Sequence, residues 1–136
     1  MDNKITISTL INSNIENVWD KYTNPIHIIK WNFADPSWHC PSAENELKVG
    51  GIYKARMEAK DGSFGFDFEA KYTEIYDGNE FTYEFGGRYA NVKFDNNDNK
   101  TKVTISFDPE NQHPIEMQKA GWNSILENFK NYVESN

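Results

Sequence analysis

A few residues in this chain could do chemistry by type and spacing. His39-Cys40 lies in the stretch NFADPSWHCPSAENELKVG, Asp67 and Glu69 stand two apart, and Tyr72, Tyr83 and Arg88 follow. A His beside a Cys suggests a thiolate nucleophile or a metal ligand. Adjacent side chains in an extended segment point apart, however, and no other His or Cys supplies C-x-x-C or H-x-x-x-H spacing. His27 and His113 are isolated, His113 preceding the proline that opens the last helix. Asp67 and Glu69 resemble an acid–base pair, but such work needs buried carboxylates whose pKa values are pushed apart. No G-x-S-x-G, P-loop or G-x-G-x-x-G pattern occurs. There remain two phenols, Tyr72 and Tyr83, that can polarise a carbonyl, and Arg88, which can grip a carboxylate or phosphate with paired hydrogen bonds. The other reading of Arg88 is a rim guanidinium that snorkels to water. No metal and no cofactor is expected.

Alternating strands must position these groups. From Gly51 to Glu74, Tyr53, Ala55, Met57 and Ala59 share one parity, and Lys54, Arg56 and Glu58 the other. After Asp61-Gly62 the pattern resumes, with Phe64, Phe66, Phe68, Ala70 and Tyr72 against Asp67, Glu69 and Lys71. Asp-Gly between alternating runs signals a two-residue hairpin turn with positive φ at both positions. That register sets Met57 opposite Phe66 and Ala55 opposite Phe68 inside, and Arg56 opposite Asp67 and Lys54 opposite Glu69 outside. Apolar meets apolar and opposite charges meet, which a one-residue slip would destroy. Next, Phe81, Tyr83 and Phe85 point inward, after a turn at Asp77-Gly78 and an expected bulge at Ile75. Gly86-Gly87 turns the chain again and places Arg88 inward beside Phe85. Ala90, Val92 and Phe94 follow, then a polar loop Asp95–Lys100, then a last strand through Val103, Ile105 and Phe107.

Upstream, Ile5 and Ile7 mark a first strand. Ser13-x-x-Glu16 reads as a capping box for a short helix bearing Val18, Trp19 and Tyr22. Asn24-Pro25 opens a second short helix ending at Trp31. The stretch from Asn32 to Gly50 loses all periodicity and reads as a long rim loop pinned by Phe33, Trp38 and Leu47. Downstream, Pro114–Glu134 carries Met117, Gly121, Trp122, Ile125, Phe129, Tyr132 and Val133 at helical spacing. The fold class is therefore α+β: a curved antiparallel sheet of about six strands wraps a long C-terminal helix, with two short helices after the first strand.

The 136 residues suit one domain, and aromatic residues make up 15% of them. A net charge of −7 without any Lys/Arg run argues against nucleic-acid or anionic-membrane partners. Cys40 is the only cysteine, the N-terminus has no signal-peptide core and no run approaches transmembrane length, so a cytoplasmic location is expected. Oligomeric state is not written in the strands.

Three segments together carry a family resemblance: VWDKYTNP with its following Trp31, GGIYKARMEAKDGSFGFDFEAKYTEI, and FDPENQHPIEMQKAGWNSILENFKNYVE. They resemble the bacterial proteins similar to the activator of Hsp90 ATPase, the AHSA1-like family of the START-like (SRPBCC) helix-grip superfamily. The resemblance implies a hydrophobic cavity between sheet and long helix, used in relatives for lipids, polyketides and other apolar molecules. It also implies three classes of function: carriers, cyclase- or hydrolase-like enzymes, and Hsp90-related co-chaperones.

The expected ligand-binding set follows from inner-face parity. The sheet contributes Met57, Phe66, Phe68, Tyr72, Tyr83, Phe85 and Arg88; the second helix and the rim loop contribute Trp31 and Trp38; the long helix contributes Trp122, Ile125 and Phe129. Either these side chains fill an ordinary core or they line a pocket. Gly121, costly in a helix interior, favours the pocket. The leading expectation is a non-enzymatic module for an apolar or aromatic small molecule. An enzyme using the same cavity, and a chaperone-interacting protein, are the alternatives.

Overall fold

The computed structural model describes residues 4–135. The chain runs β1 (Ile5–Ile11), α1 (Ile15–Thr23), α2 (Pro25–Trp31), β2 (Trp38–Asn45), β3 (Ile52–Ala59), β4 (Gly65–Tyr76), β5 (Glu80–Phe85), β6 (Arg88–Asn97), β7 (Lys100–Phe107) and α3 (Ile115–Glu134). All strands belong to one antiparallel sheet ordered β1-β7-β6-β5-β4-β3-β2. From β2 to β7 the sheet is a meander of neighbours, while β1 closes beside β7. The pair α1–α2 therefore carries the chain from one edge of the sheet to the other, and α3 packs chiefly along β1. This is the helix-grip architecture, with seven strands rather than about six.

The additional strand is β2, inside the stretch read as a loop. Its alternation is broken by a register shift between His39 and Ser42, around Cys40-Pro41. A proline is tolerated there because β2 is an edge strand with one unpaired side.

The β3–β4 register is the one that charge and apolar parity require: Met57 faces Phe66, Ala55 faces Phe68, Arg56 faces Asp67 and Lys54 faces Glu69. The turn itself differs. Only Gly62 has positive φ (79°), Gly62 N–H donates to Ala59 O, and Ala59 N–H closes the loop onto Phe64 O, so the connection is longer than two residues. The Asp61 side chain accepts from Ser63 N–H, which holds the tip.

The β4 bulge lies between Tyr72 and Glu74, and Ile75 pairs normally with Phe81. Gly86 and Gly87 both take positive φ, as a tight turn requires, and Phe85 pairs with Arg88. Beyond β6, the expected polar loop shrinks to a turn at Asp98-Asn99, both at positive φ (60° and 69°). Short polar side chains tolerate that conformation, so β6 and β7 pair as far as Asn97 and Lys100.

At α1 the cap is Asn14, whose side chain accepts from Asn17 N–H at 2.8 Å. Ser13 instead accepts from the Asn17 side chain, so the expected Ser13/Glu16 box does not form. Asn24 caps α2 as its sequence requires, with Pro25 behind it. The aromatic core gathers where α1 and α2 meet the sheet. Tyr22 packs against Trp31, Phe81, Phe94 and Phe129 at ring separations of 4.9 to 6.0 Å.

Candidate ligand cavity

The two short helices fill only part of the curled sheet. Over the remainder, β3, β4 and β5 face the middle of α3 across a gap. This gap is a cavity of about 320 Å3, which falls at the low end of small-molecule pockets, about 300–1,000 Å3. Met57, Phe66, Phe68 and Phe85 form its sheet wall, Trp122 and Ile125 its helix wall, and Trp31 its floor on α2. Trp122 is held in place by stacking on Phe107, with ring centres 3.9 Å apart and planes at 10°.

Next to the cavity lies a second, more open space of about 500 Å3. Met57, Phe66, Arg88, Trp122 and Ile125 line both spaces, so they form the neck between them. The outer space is bounded by Ala34, Asp35 and Trp38 on one side and by His113, Met117 and Gly121 on the other. It is the mouth, beside the segment expected to form the rim. A Cβ built on Gly121 would meet nothing within 4 Å. Space, not close packing, surrounds this glycine. Trp38, Phe64 and Phe66 meet edge-on or tilted at 5.9 to 6.2 Å and form an aromatic lip in which Phe64 and Phe66 are exposed and Trp38 half-buried.

Ten of the twelve side chains expected at the site line one or both spaces; Tyr72 and Phe129 line neither. Tyr72 is buried with its hydroxyl donating to Asn45 Oδ1 at 2.7 Å, committed to β2. Phe129 is fully buried against Tyr22 and Trp31, in the filled half of the core. Conversely, Tyr22, Asn32 and Tyr53 line the inner cavity and stand outside the expected set. Tyr53 already had the inward parity of β3 and Tyr22 the buried side of α1; Asn32, just past the end of α2, had no sequence signal.

Arg88 sits at the neck. Its guanidinium lies over the Phe85 ring at 4.7 Å and donates one bond, to Asp108 O at 3.3 Å. Asp108 itself is occupied by Lys4 and by Tyr89 N–H, and the Lys4 bond is the main cause holding its carboxyl below the ordinary range. Arg88 therefore retains donors for an anionic group at the neck.

The other chemical candidates lie elsewhere. Cys40 is buried and burial pushes its thiol up to about 11, so it is protonated and unreactive at neutral pH. His39 points away to Glu58 at 3.8 Å. Asp67 and Glu69 face Arg56 and Lys54, each at 3.6 Å, on the outer surface. His113 is bound to Glu110 at 2.6 Å on the mouth.

Residues 12–134 match the model of the Activator of Hsp90 ATPase homolog 1-like protein family. The chain belongs to that family. The AHSA1-like protein from Aeromonas hydrophila, solved in solution, is 39% identical over 97% of this chain and 92% of its own, with a TM-score of 0.92. The Cytophaga hutchinsonii protein Chr148 is 42% identical over 98% and 94%, with a TM-score of 0.84. The Nitrosomonas europaea protein NE0264 shares only the fold, at 15% identity over 99% and 97% and a TM-score of 0.84. No curated protein matches the chain. Among the described residues, no helix of this AHSA1-like chain is long and apolar enough to cross a membrane.

Proposed function

We propose that this AHSA1-like domain is a non-enzymatic module that binds a hydrophobic or aromatic small molecule between the sheet and α3, against Trp122 and Ile125. The observation that supports it is the cavity of about 320 Å3 walled by apolar rings and sharing five lining residues with a more open outer space. A space of that size inside a small domain forfeits packing that a well-filled core would gain. A ligand restores it. Arg88 at the neck suits a carboxylate or phosphate at the outer end of such a molecule.

The test is native mass spectrometry of the freshly purified protein, with a thermal-shift screen across fatty acids and aromatic compounds. The expected result is a co-purifying adduct or a saturable rise in Tm for apolar members of the screen. A bare mass together with a flat screen would overturn the reading.

An enzymatic reading draws support from Tyr83 and Arg88 lining one cavity, where a phenol and a guanidinium can polarise a carbonyl. Tyr72 takes no part, its hydroxyl being used by Asn45. Turnover unchanged in Tyr83→Phe and Arg88→Ala would remove this reading. The family's name supports a chaperone partner, which pull-down with the cell's own Hsp90 decides.

A further inference from the structure

The innermost part of the cavity is not purely apolar. Tyr22 and Tyr83 are 8% and 5% exposed, and neither hydroxyl has a hydrogen-bond partner among the described residues. Yet no fully enclosed side-chain polar atom among the described residues is unpaired. Since both tyrosines line the cavity, their hydroxyls must open into it. Tyr53 joins them: it is 5% exposed and its oxygen accepts from Asn32 Nδ2 at 3.1 Å, leaving its own O–H without an acceptor. The Asn32 amide, 8% exposed, donates from Nδ2 to Tyr53, and its Oδ1 has no partner among the described residues.

Three further facts bear on what these groups await. All three tyrosines line the same inner cavity, the Tyr53 and Tyr83 rings lie 5.7 Å apart, and burial pushes all three phenols up, so they remain protonated donors. Arg88, the cation on the cavity wall, is at the neck rather than at this inner end. An anion pushed past it would lose its hydration without gaining a counter-charge, a large cost. A purely hydrocarbon ligand would instead strand the hydroxyls and the amide without water, at a cost for each buried group.

We infer that the ligand is a ring compound whose leading end is uncharged and that it enters oxygen-first, its hydroxyl or ketone oxygen accepting from two of the three hydroxyls of Tyr22, Tyr53 and Tyr83 and its ring lying between Phe68 and Trp122. This inference rests on the binding function proposed above and specifies the chemical class of that same site. Any charged group of the ligand is left at the opposite end, beside Arg88.

The experiment uses two matched probes, 2-naphthol and 2-methylnaphthalene, titrated into the protein by 1H–15N NMR. The naphthol is expected to bind roughly tenfold more tightly, equivalent to about 1.4 kcal/mol. In the double variant Tyr22→Phe/Tyr83→Phe that preference should shrink to about threefold or less. The variant removes only hydroxyls that lack protein partners, so its Tm should stay at or above that of the wild type. The single variants Tyr22→Phe and Tyr83→Phe repeat the measurement should the double variant fold poorly. If neither probe binds, the ligand-binding reading itself falls and this inference with it. If both bind the wild type equally, or the preference survives in the variants, binding stands and the oxygen-first orientation is wrong.

Discussion

The two halves of α3 live in different surroundings. The C-terminal half buries Leu126, Phe129 and Val133 to within 2% of full burial and is tied down by polar bonds as well. Asn128 donates to Trp31 O, Lys130 to Leu10 O, and Glu134 accepts from Asn12 N–H. The N-terminal half leaves Ile115 and Met117 about half exposed. It is held by the Gln118 amide bonded to Glu110 and His113 and by the Trp122–Phe107 stack. One amphipathic stripe thus serves two purposes. Around Phe129, where Tyr22 and Trp31 pack against it, the stripe closes a core; from Ile125 and Trp122 toward the N-terminus it becomes one wall of a cavity.

The largest expected contrast comes from truncating one residue in each half. Phe129→Ala should cost about 3–5 kcal/mol, because it removes a fully buried ring packed against Tyr22 and Trp31 and leaves a void. Met117→Ala, on the mouth, should stay within about 0.5 kcal/mol of the wild type. Urea denaturation measures both, and similar losses would erase the distinction between the halves.

A smaller effect of opposite sign is expected at Gly121. No atom lies within 4 Å of a Cβ there, so Gly121→Ala gains helix propensity without a clash. Stability should rise by about 0.5–1 kcal/mol. A loss would mean that the helix packs more tightly against its surroundings than the open mouth implies.

The smallest effect is a pH dependence at the anchored end. The Asn12 N–H bond, followed by Lys130, holds the Glu134 carboxyl below its ordinary value of 4.5. A lowered native pKa means that this contribution is complete above the ordinary glutamate range and disappears as pH falls through the native value. Thermal melts from pH 6 to about 3 should therefore fall slightly less steeply for Glu134→Gln than for the wild type. Parallel curves would show that the anchor carries no linked proton.

How much of this could be read from the sequence depended on what each pattern encodes. Paired alternation across β3–β4 and β5–β6 specified register, because a slip would have exposed every inner ring and opposed like charges. Parity assigns a face but not a position along the sheet, so Tyr72 and Tyr83 looked equivalent from their spacing. They differ because β2 supplies Asn45 to one and not to the other. β2 itself was hidden by Cys40-Pro41 and its bulge. In the same way, the helical stripe placed Trp122 and Phe129 on one side of α3 without showing where α1 and α2 end. Tyr22, Tyr53 and Asn32 belong to three separate elements, and their convergence is a tertiary fact that no local pattern records.

The central claim is that the space beneath Trp122 and Ile125 of α3 is an accessible binding cavity. Ile125 lines both the inner cavity and the mouth, so Ile125→Trp places a large ring in the neck. Isothermal titration of 2-naphthol into the two proteins, with their melting temperatures measured alongside, tests the claim most directly. The account predicts saturable binding to the wild type, lost in Ile125→Trp while the variant melts at or above the wild-type temperature. Equal binding by both proteins, or a variant that melts far lower because the space was never there to fill, would contradict it.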